Sequence, residues 1–98
     1  MTPAQITLQH LGGNHFVVMT GAKDFVGGDG LMFSLPRGAA KNKSTKVRID
    51  LQPNDTYRVT FMKWKNRLDL VEISKHEDVY ADRLRWLFER ETGLYTRL

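Results

Sequence analysis

The stretch KVRIDLQPNDTYRVTFMKW, residues 46–64, alternates apolar and polar side chains on both sides of a short polar segment. Residues 52–55 contain Pro, Asn and Asp, which favour a turn. Every second side chain in the flanking segments is apolar and would face the same way: Val47, Ile49, Leu51, Tyr57, Val59 and Phe61. This pattern predicts an antiparallel hairpin with one buried face, and it places Arg58, Thr60, Met62 and Trp64 on the opposite face.

Further strands are expected on both sides of this hairpin. Residues 31–35 alternate and end at Pro36, whereas residues 15–20 form a nearly continuous apolar run, which is typical of a strand buried on both faces. Residues 68–74 are expected to form a fifth strand, after a turn at residues 65–67. Short turns between neighbouring strands predict an antiparallel sheet of about five strands.

Helices are expected at the two ends of the chain. Thr2, Pro3 and Gln5 match a capping box with proline at the first helical position, and Gly12 would end that helix. At the other end we expect Asp78 to cap a helix that stops at Gly93. Its apolar stripe would comprise Tyr80, Leu84, Leu87 and Phe88.

The predicted fold is therefore α+β. We expect one domain over residues 1–98, with the order α-β-β-β-β-β-α and the C-terminal helix packed on one face of the sheet. A length of 98 residues is sufficient for one core of this kind.

The composition bounds the chemistry. The chain has no cysteine, so disulfides, thiolate nucleophiles and Cys-ligated metals are excluded. The N-terminus lacks the basic and apolar regions of a secretory signal, and no apolar run approaches the length of a membrane span, so we expect a cytoplasmic protein without membrane contact.

His76, Asp78 and Asp82 lie close together in sequence, but helix capping explains the two acids better than a metal site. We expect no cofactor, no metal, no catalytic residues and no enzymatic activity.

The basic charge is concentrated in the middle of the chain. Residues 37–67 hold nine bases and two acids, whereas the whole chain has a net charge of only +4. Trp64 lies within this segment, and an aromatic ring among cations can stack on a nucleobase while the cations bind phosphates. The predicted partner is therefore single-stranded or structured nucleic acid, bound through the hairpin within residues 37–67. The predicted nucleic-acid-binding residues are Lys46, Arg48, Arg58, Lys63, Trp64, Lys65 and Arg67.

An interaction with protein is the alternative. Met62 and Trp64 on one sheet face could form an interface, either with a second copy of the chain or with a host or phage protein. Trp86 lies outside the apolar stripe of the C-terminal helix, with Arg83 and Arg90 on its side of the helix. Exposed Trp and Arg residues are frequent hot spots of protein interfaces.

Several short segments also carry a resemblance: residues 11–13, residues 19–23 with Phe25, residues 33–37 (FSLPR), residues 55–57 (DTY), residues 79–82 (VYAD) and residues 92–96 (TGLYT). Together they resemble small uncharacterised proteins encoded by phages, prophages and other mobile genetic elements. The resemblance implies an accessory protein that handles nucleic acid or binds a host or phage protein.

Overall fold

The computed structural model describes residues 2–28 and 30–96, which form three helices and one five-stranded antiparallel sheet. The elements follow the order α-α-β-β-β-β-β-α. They are α1 (Pro3–Leu11), α2 (Asn14–Thr20), β1 (Lys23–Val26), β2 (Gly30–Ser34), β3 (Lys46–Leu51), β4 (Tyr57–Trp64), β5 (Leu70–Val79) and α3 (Ala81–Thr92).

The sheet is a simple meander with the spatial order β1-β2-β3-β4-β5. The expected hairpin is confirmed: β3 pairs with β4 in a register that sets Val47 opposite Phe61 and Ile49 opposite Val59. All four of these side chains are buried. The α+β class, a five-stranded antiparallel sheet and a C-terminal helix are as the sequence predicts, although β1 (Lys23–Val26) is not among the expected strands and replaces the first of them.

An aromatic cluster joins the helices to the inner face of the sheet. Phe88 of α3 lies at ring-centroid distances of 5.1 Å from Phe16 of α2, 6.2 Å from Phe33 of β2 and 6.5 Å from Phe61 of β4. All four rings are buried. Since these contacts are on one side of the sheet, β-strand side chains on the opposite, outer side remain available for other interactions.

The prediction of a strand over residues 15–20 is wrong, because this segment forms α2. Its buried residues, Phe16 and Thr20, are four apart, as on one helix face, while Val18 is 80% exposed. Gly21 ends the helix in the left-handed conformation that favours glycine. A short apolar run does not distinguish a strand from a helix, and here the flanking glycines favour the helix.

The boundary between β5 and α3 also differs from the prediction. Strand β5 extends to Val79, so Asp78 is not the N-cap; it has a φ of 55° near the end of the strand, and its carboxylate accepts hydrogen bonds from Asn54 and Thr56. Tyr80 occupies the N-cap position and is exposed, instead of belonging to the apolar stripe. Leu84, Leu87 and Phe88 are buried as expected.

Gly30, the first residue of β2, has no room for a side chain. A Cβ atom there would lie 2.5 Å from the carbonyl oxygen of Ile49 and 2.8 Å from Oδ1 of Asp50. Because the first of these atoms belongs to the backbone of β3, we expect Gly30→Ala to destabilise the protein by about 1–3 kcal/mol, as overpacking does. Urea unfolding measures this loss. Ser34→Ala on the same strand is the control, and equal midpoints for both variants would contradict the prediction.

Candidate nucleic-acid interface

The outer face of the sheet carries charges that are largely paired. Nε of Arg48 lies 3.1 Å from Oδ1 of Asp50, and Nε of Arg58 lies 2.8 Å from Oε1 of Glu77. A third pair joins Lys75 to Glu72 at 3.6 Å. These are exposed pairs that contribute little to stability, but each places a carboxylate beside a cation that would otherwise attract an anion.

The end of the sheet that contains Trp64 has a different character. The meander brings together here the start of β1, the loop from β2 to β3 and the turn from β4 to β5. We call the basic residues around the indole ring, together with Trp64, the Trp64 end. Its eight bases are Lys23, Arg37, Lys41, Lys43, Lys46, Lys63, Lys65 and Arg67.

Within residues 2–28 and 30–96, none of these eight bases forms an ion pair with a carboxylate. Asp24 is the single acid among the described residues that line the clefts beside Trp64. The Trp64 side chain is 49% exposed. This arrangement places an accessible aromatic ring among cations that greatly outnumber the acids of the two clefts.

Two clefts adjoin at Trp64. The first has a volume of about 670 Å³ and includes Lys23, Ser34, Lys65 and Arg67 in its lining. The second has a volume of about 480 Å³ and lies beside the loop that follows β2. Both volumes are in the range of small-molecule and nucleotide sites.

The turn between β4 and β5 is held in one conformation by Asn66. Its side-chain oxygen accepts hydrogen bonds from the backbone N–H groups of Leu68 and Asp69, at 2.9 and 3.0 Å. Its side-chain nitrogen donates to the Asp69 carboxylate at 3.0 Å. These hydrogen bonds fix the backbone that carries Lys65 and Arg67, and neither cation has a carboxylate within 4 Å among the described residues.

The loop that contains Arg37, Lys41 and Lys43 is anchored to the rest of the fold. The Lys41 N–H donates to the carbonyl oxygen of Thr92, in the last turn of α3, at 2.7 Å. The Leu35 N–H donates to the Thr45 carbonyl at 2.9 Å, and Ala40 between these points is buried. The cations of the loop are thus carried on a fixed backbone, which lowers the entropic cost of binding a ligand.

Lys46 lies against the indole ring. Its Nζ atom is 5.9 Å from the centroid of Trp64, at the outer limit of a cation–π contact. Trp64 remains 49% exposed with this ammonium group over its ring. A ligand that stacks on Trp64 would therefore find a cation within a few ångströms.

The structure thus divides the predicted nucleic-acid-binding residues into two groups. Five of them, Lys46, Lys63, Trp64, Lys65 and Arg67, come together at the Trp64 end. Arg48 and Arg58 lie further along the outer face, each beside a carboxylate. Sequence reasoning did not single out four bases that join the first group: Lys23, Arg37, Lys41 and Lys43.

The alternative interface on α3 is also present as a surface. Trp86 is 50% exposed, and the Cζ atoms of Arg83 and Arg90 lie 5.7 and 5.1 Å from its ring centroid. A shallow cleft of about 390 Å³ runs between this helix and the end of β5, with Tyr80 at its border. Met62, the other predicted interface residue, is half-buried on the outer sheet face.

The described residues contain no group of three His, Asp or Glu side chains that could hold a metal ion. Nε2 of His76 lies 2.6 Å from Oε1 of Glu91 on α3, whereas Asp78 binds residues of the β3–β4 turn. Nδ1 of His10 lies 2.7 Å from the hydroxyl of Tyr57, and this contact joins α1 to β4. His10 is thus paired with Tyr57, whereas Nε2 of His76 lies beside the Glu91 carboxylate without the geometry of a hydrogen bond.

The chain was compared with protein-family models, curated proteins and solved structures. No family model matches the chain, and no curated protein or solved structure matches it significantly. In the described part of the chain, no helix has the length and apolar character that crossing a membrane requires.

Proposed function

We propose that this protein binds single-stranded nucleic acid through the Trp64 end, where the basic residues contact phosphates and the indole ring stacks on a base. The observation that carries the proposal is the set of eight bases, without carboxylate partners in the described residues, around a half-exposed tryptophan. The resemblance to small phage and prophage proteins fits a non-enzymatic accessory role of this kind.

Electrostatics favours a polyanion as the ligand. Cations gathered at one end of a small domain repel each other, and this repulsion destabilises the compact state. A polyanion relieves the repulsion and releases its own condensed counterions, which supplies most of the affinity at low salt. The paired Arg48 and Arg58 contribute less, because an arriving phosphate must compete with Asp50 and Glu77.

The tryptophan favours a single strand over a duplex. In a duplex the faces of the bases are stacked on each other, so the indole ring has no base face to stack on, while the phosphates remain accessible to the Trp64 end. A single strand can place a base on the indole ring, and such stacking contributes about 1–3 kcal/mol per base.

Trp64→Ala should therefore weaken binding of a single strand by roughly 5- to 150-fold and affect a duplex much less. Fluorescence anisotropy with a labelled oligonucleotide, measured at several salt concentrations, provides the affinities. Trp86→Ala is a matched control, since the two tryptophans are 49% and 50% exposed and each has a nearby cation. Equal effects of the two variants, or no binding by the wild type at low salt, would contradict the proposal.

A protein-binding role is a second candidate, which the exposed Trp86 with its two stacked arginines favours. A homodimer through this face, or through Met62 and Trp64, would have twice the mass of the 11.3 kDa chain in sedimentation. Dissociation by Trp86→Ala would assign the dimer to α3, and dissociation by Trp64→Ala would assign it to the outer sheet face.

A further inference from the structure

We propose, building on the nucleic-acid-binding function above, that the bound strand crosses Trp64 and places phosphates in both adjoining clefts. The site would then recognise a segment of several nucleotides, and neither a mononucleotide nor the end of a chain would occupy it fully. This path follows from where the two clefts lie and from how the cations are divided between them.

The two clefts share a border. Arg37, Thr45 and Trp64 line both of them. The first cleft continues along the edge of the sheet through Ser34 of β2 and Lys23 of β1. The second continues under the loop from β2 to β3, so a chain that leaves one cleft at Trp64 enters the other directly.

Each cleft has its own cations. Lys65 and Arg67 belong to the first cleft, whereas Lys41 and Lys43 belong to the second. Arg37, on the shared border, can contact a phosphate between them. A ligand that filled one cleft alone would leave the cations of the other without partners, so a strand long enough to reach both should bind more tightly.

The hydroxyl of Thr45 is a further feature of this border. Its Oγ1 atom is buried and has no hydrogen-bond partner among the described residues. Buried polar groups in folded proteins nearly always have partners, so an orphaned hydroxyl calls for one. Thr45 lines both clefts, so a strand that crosses their border would pass beside this residue.

The first test is the dependence of affinity on length. Oligothymidylates of one to eight nucleotides should gain affinity with each added nucleotide until both clefts are filled, at about four nucleotides, the lower end of the site sizes known for single-strand-binding domains. Inorganic triphosphate, which has charge without bases, should bind less tightly than the octamer. A mononucleotide that bound as tightly as the octamer would overturn the proposed path, and the nucleic-acid-binding function would still stand.

The second test compares one pair of substitutions in each cleft. Each phosphate contact contributes about 0.7 log units to the binding constant of a single strand at 0.1 M salt, so loss of two contacts corresponds to roughly 25-fold. Both Lys65→Gln/Arg67→Gln and Lys41→Gln/Lys43→Gln should therefore weaken binding of the octamer by about this factor. Each should also reduce the log–log salt slope by about 1.4.

Arg83→Gln/Arg90→Gln on α3 is the control pair. It removes the same amount of net charge, and we expect it to reduce the affinity for the octamer only slightly. Circular dichroism would establish that all variants fold. If one cleft's pair weakened octamer binding and the other's pair did not, the strand would occupy a single cleft and the path would be wrong. If no oligonucleotide bound to the wild type, the function itself would fail.

Discussion

Phe88→Ala should remove a large part of the stability of the domain, by about 3–5 kcal/mol. Phe88 is 1% exposed, and its ring contacts aromatic rings from α2, β2 and β4. Alanine would leave a cavity where α2 and α3 pack against the sheet. Because small domains are stable by only about 5–15 kcal/mol, we expect a much lower urea midpoint and a melting temperature lower by more than about 12 °C.

Trp86→Ala is the control for this prediction, two residues away on the same helix. Half of the Trp86 side chain is exposed, and its nearby groups are the flexible side chains of Arg83 and Arg90. Its loss should cost less than about 1 kcal/mol, in keeping with surface substitutions. Equal losses for the two variants would mean that the helix does not present Phe88 to the core.

The parts of the fold that could be predicted are those with a strong periodic pattern. The alternation in residues 46–64 predicts β3, β4 and the face that each presents, and the bounds of both strands agree with the structure. Leu51, expected on the buried face, is instead 39% exposed because it lies at the end of β3. The spacing of Leu84, Leu87 and Phe88 likewise predicts the buried face of α3. In both cases the apolar side chains must lie on one buried face, so they recur in the sequence with the period of the strand or of the helix.

The parts that could not be predicted lack such a pattern. All four residues of β1 are exposed, so its pairing with β2 leaves no apolar alternation in the sequence. Residues 15–20 are apolar beyond what burial requires, since Val18 is on the solvent side of α2. Asp78 resembles an N-cap by position, but its hydrogen bonds to the β3–β4 turn depend on residues more than 20 positions away.

The same distinction applies to the candidate site. The basic segment and Trp64 are visible in the sequence. Which of the cations have a carboxylate partner, and which lie near Trp64, depends on the fold. Asp50 is two residues from Arg48 on the same strand face, a spacing that does indicate a neighbouring pair. Glu77 reaches Arg58 only through the register of β4 and β5, and Lys23 approaches Trp64 only because β1 joins the sheet.

Neutralising four cations of the Trp64 end should reduce binding of a single strand by roughly 10²- to 10³-fold at 0.1 M salt. The variant replaces four residues with Gln: Arg37, Lys43, Lys65 and Arg67. The magnitude follows from about 0.7 log units for each lost phosphate contact, and the log–log salt slope should decrease by about 2.8. Fluorescence anisotropy between 50 and 200 mM salt, a range in which such slopes are well determined, measures both quantities.

The matched control neutralises the same number of cations elsewhere, so that both variants fall from a net charge of +4 to zero. It replaces Arg48, Arg58, Lys75 and Arg83 with Gln. Three of these have a carboxylate within 4 Å, and the fourth is on α3. If overall charge alone attracted the strand, the two variants would lose affinity equally. We expect the control to retain most of the affinity and of the salt slope, because a phosphate gains most where no carboxylate already holds the cation.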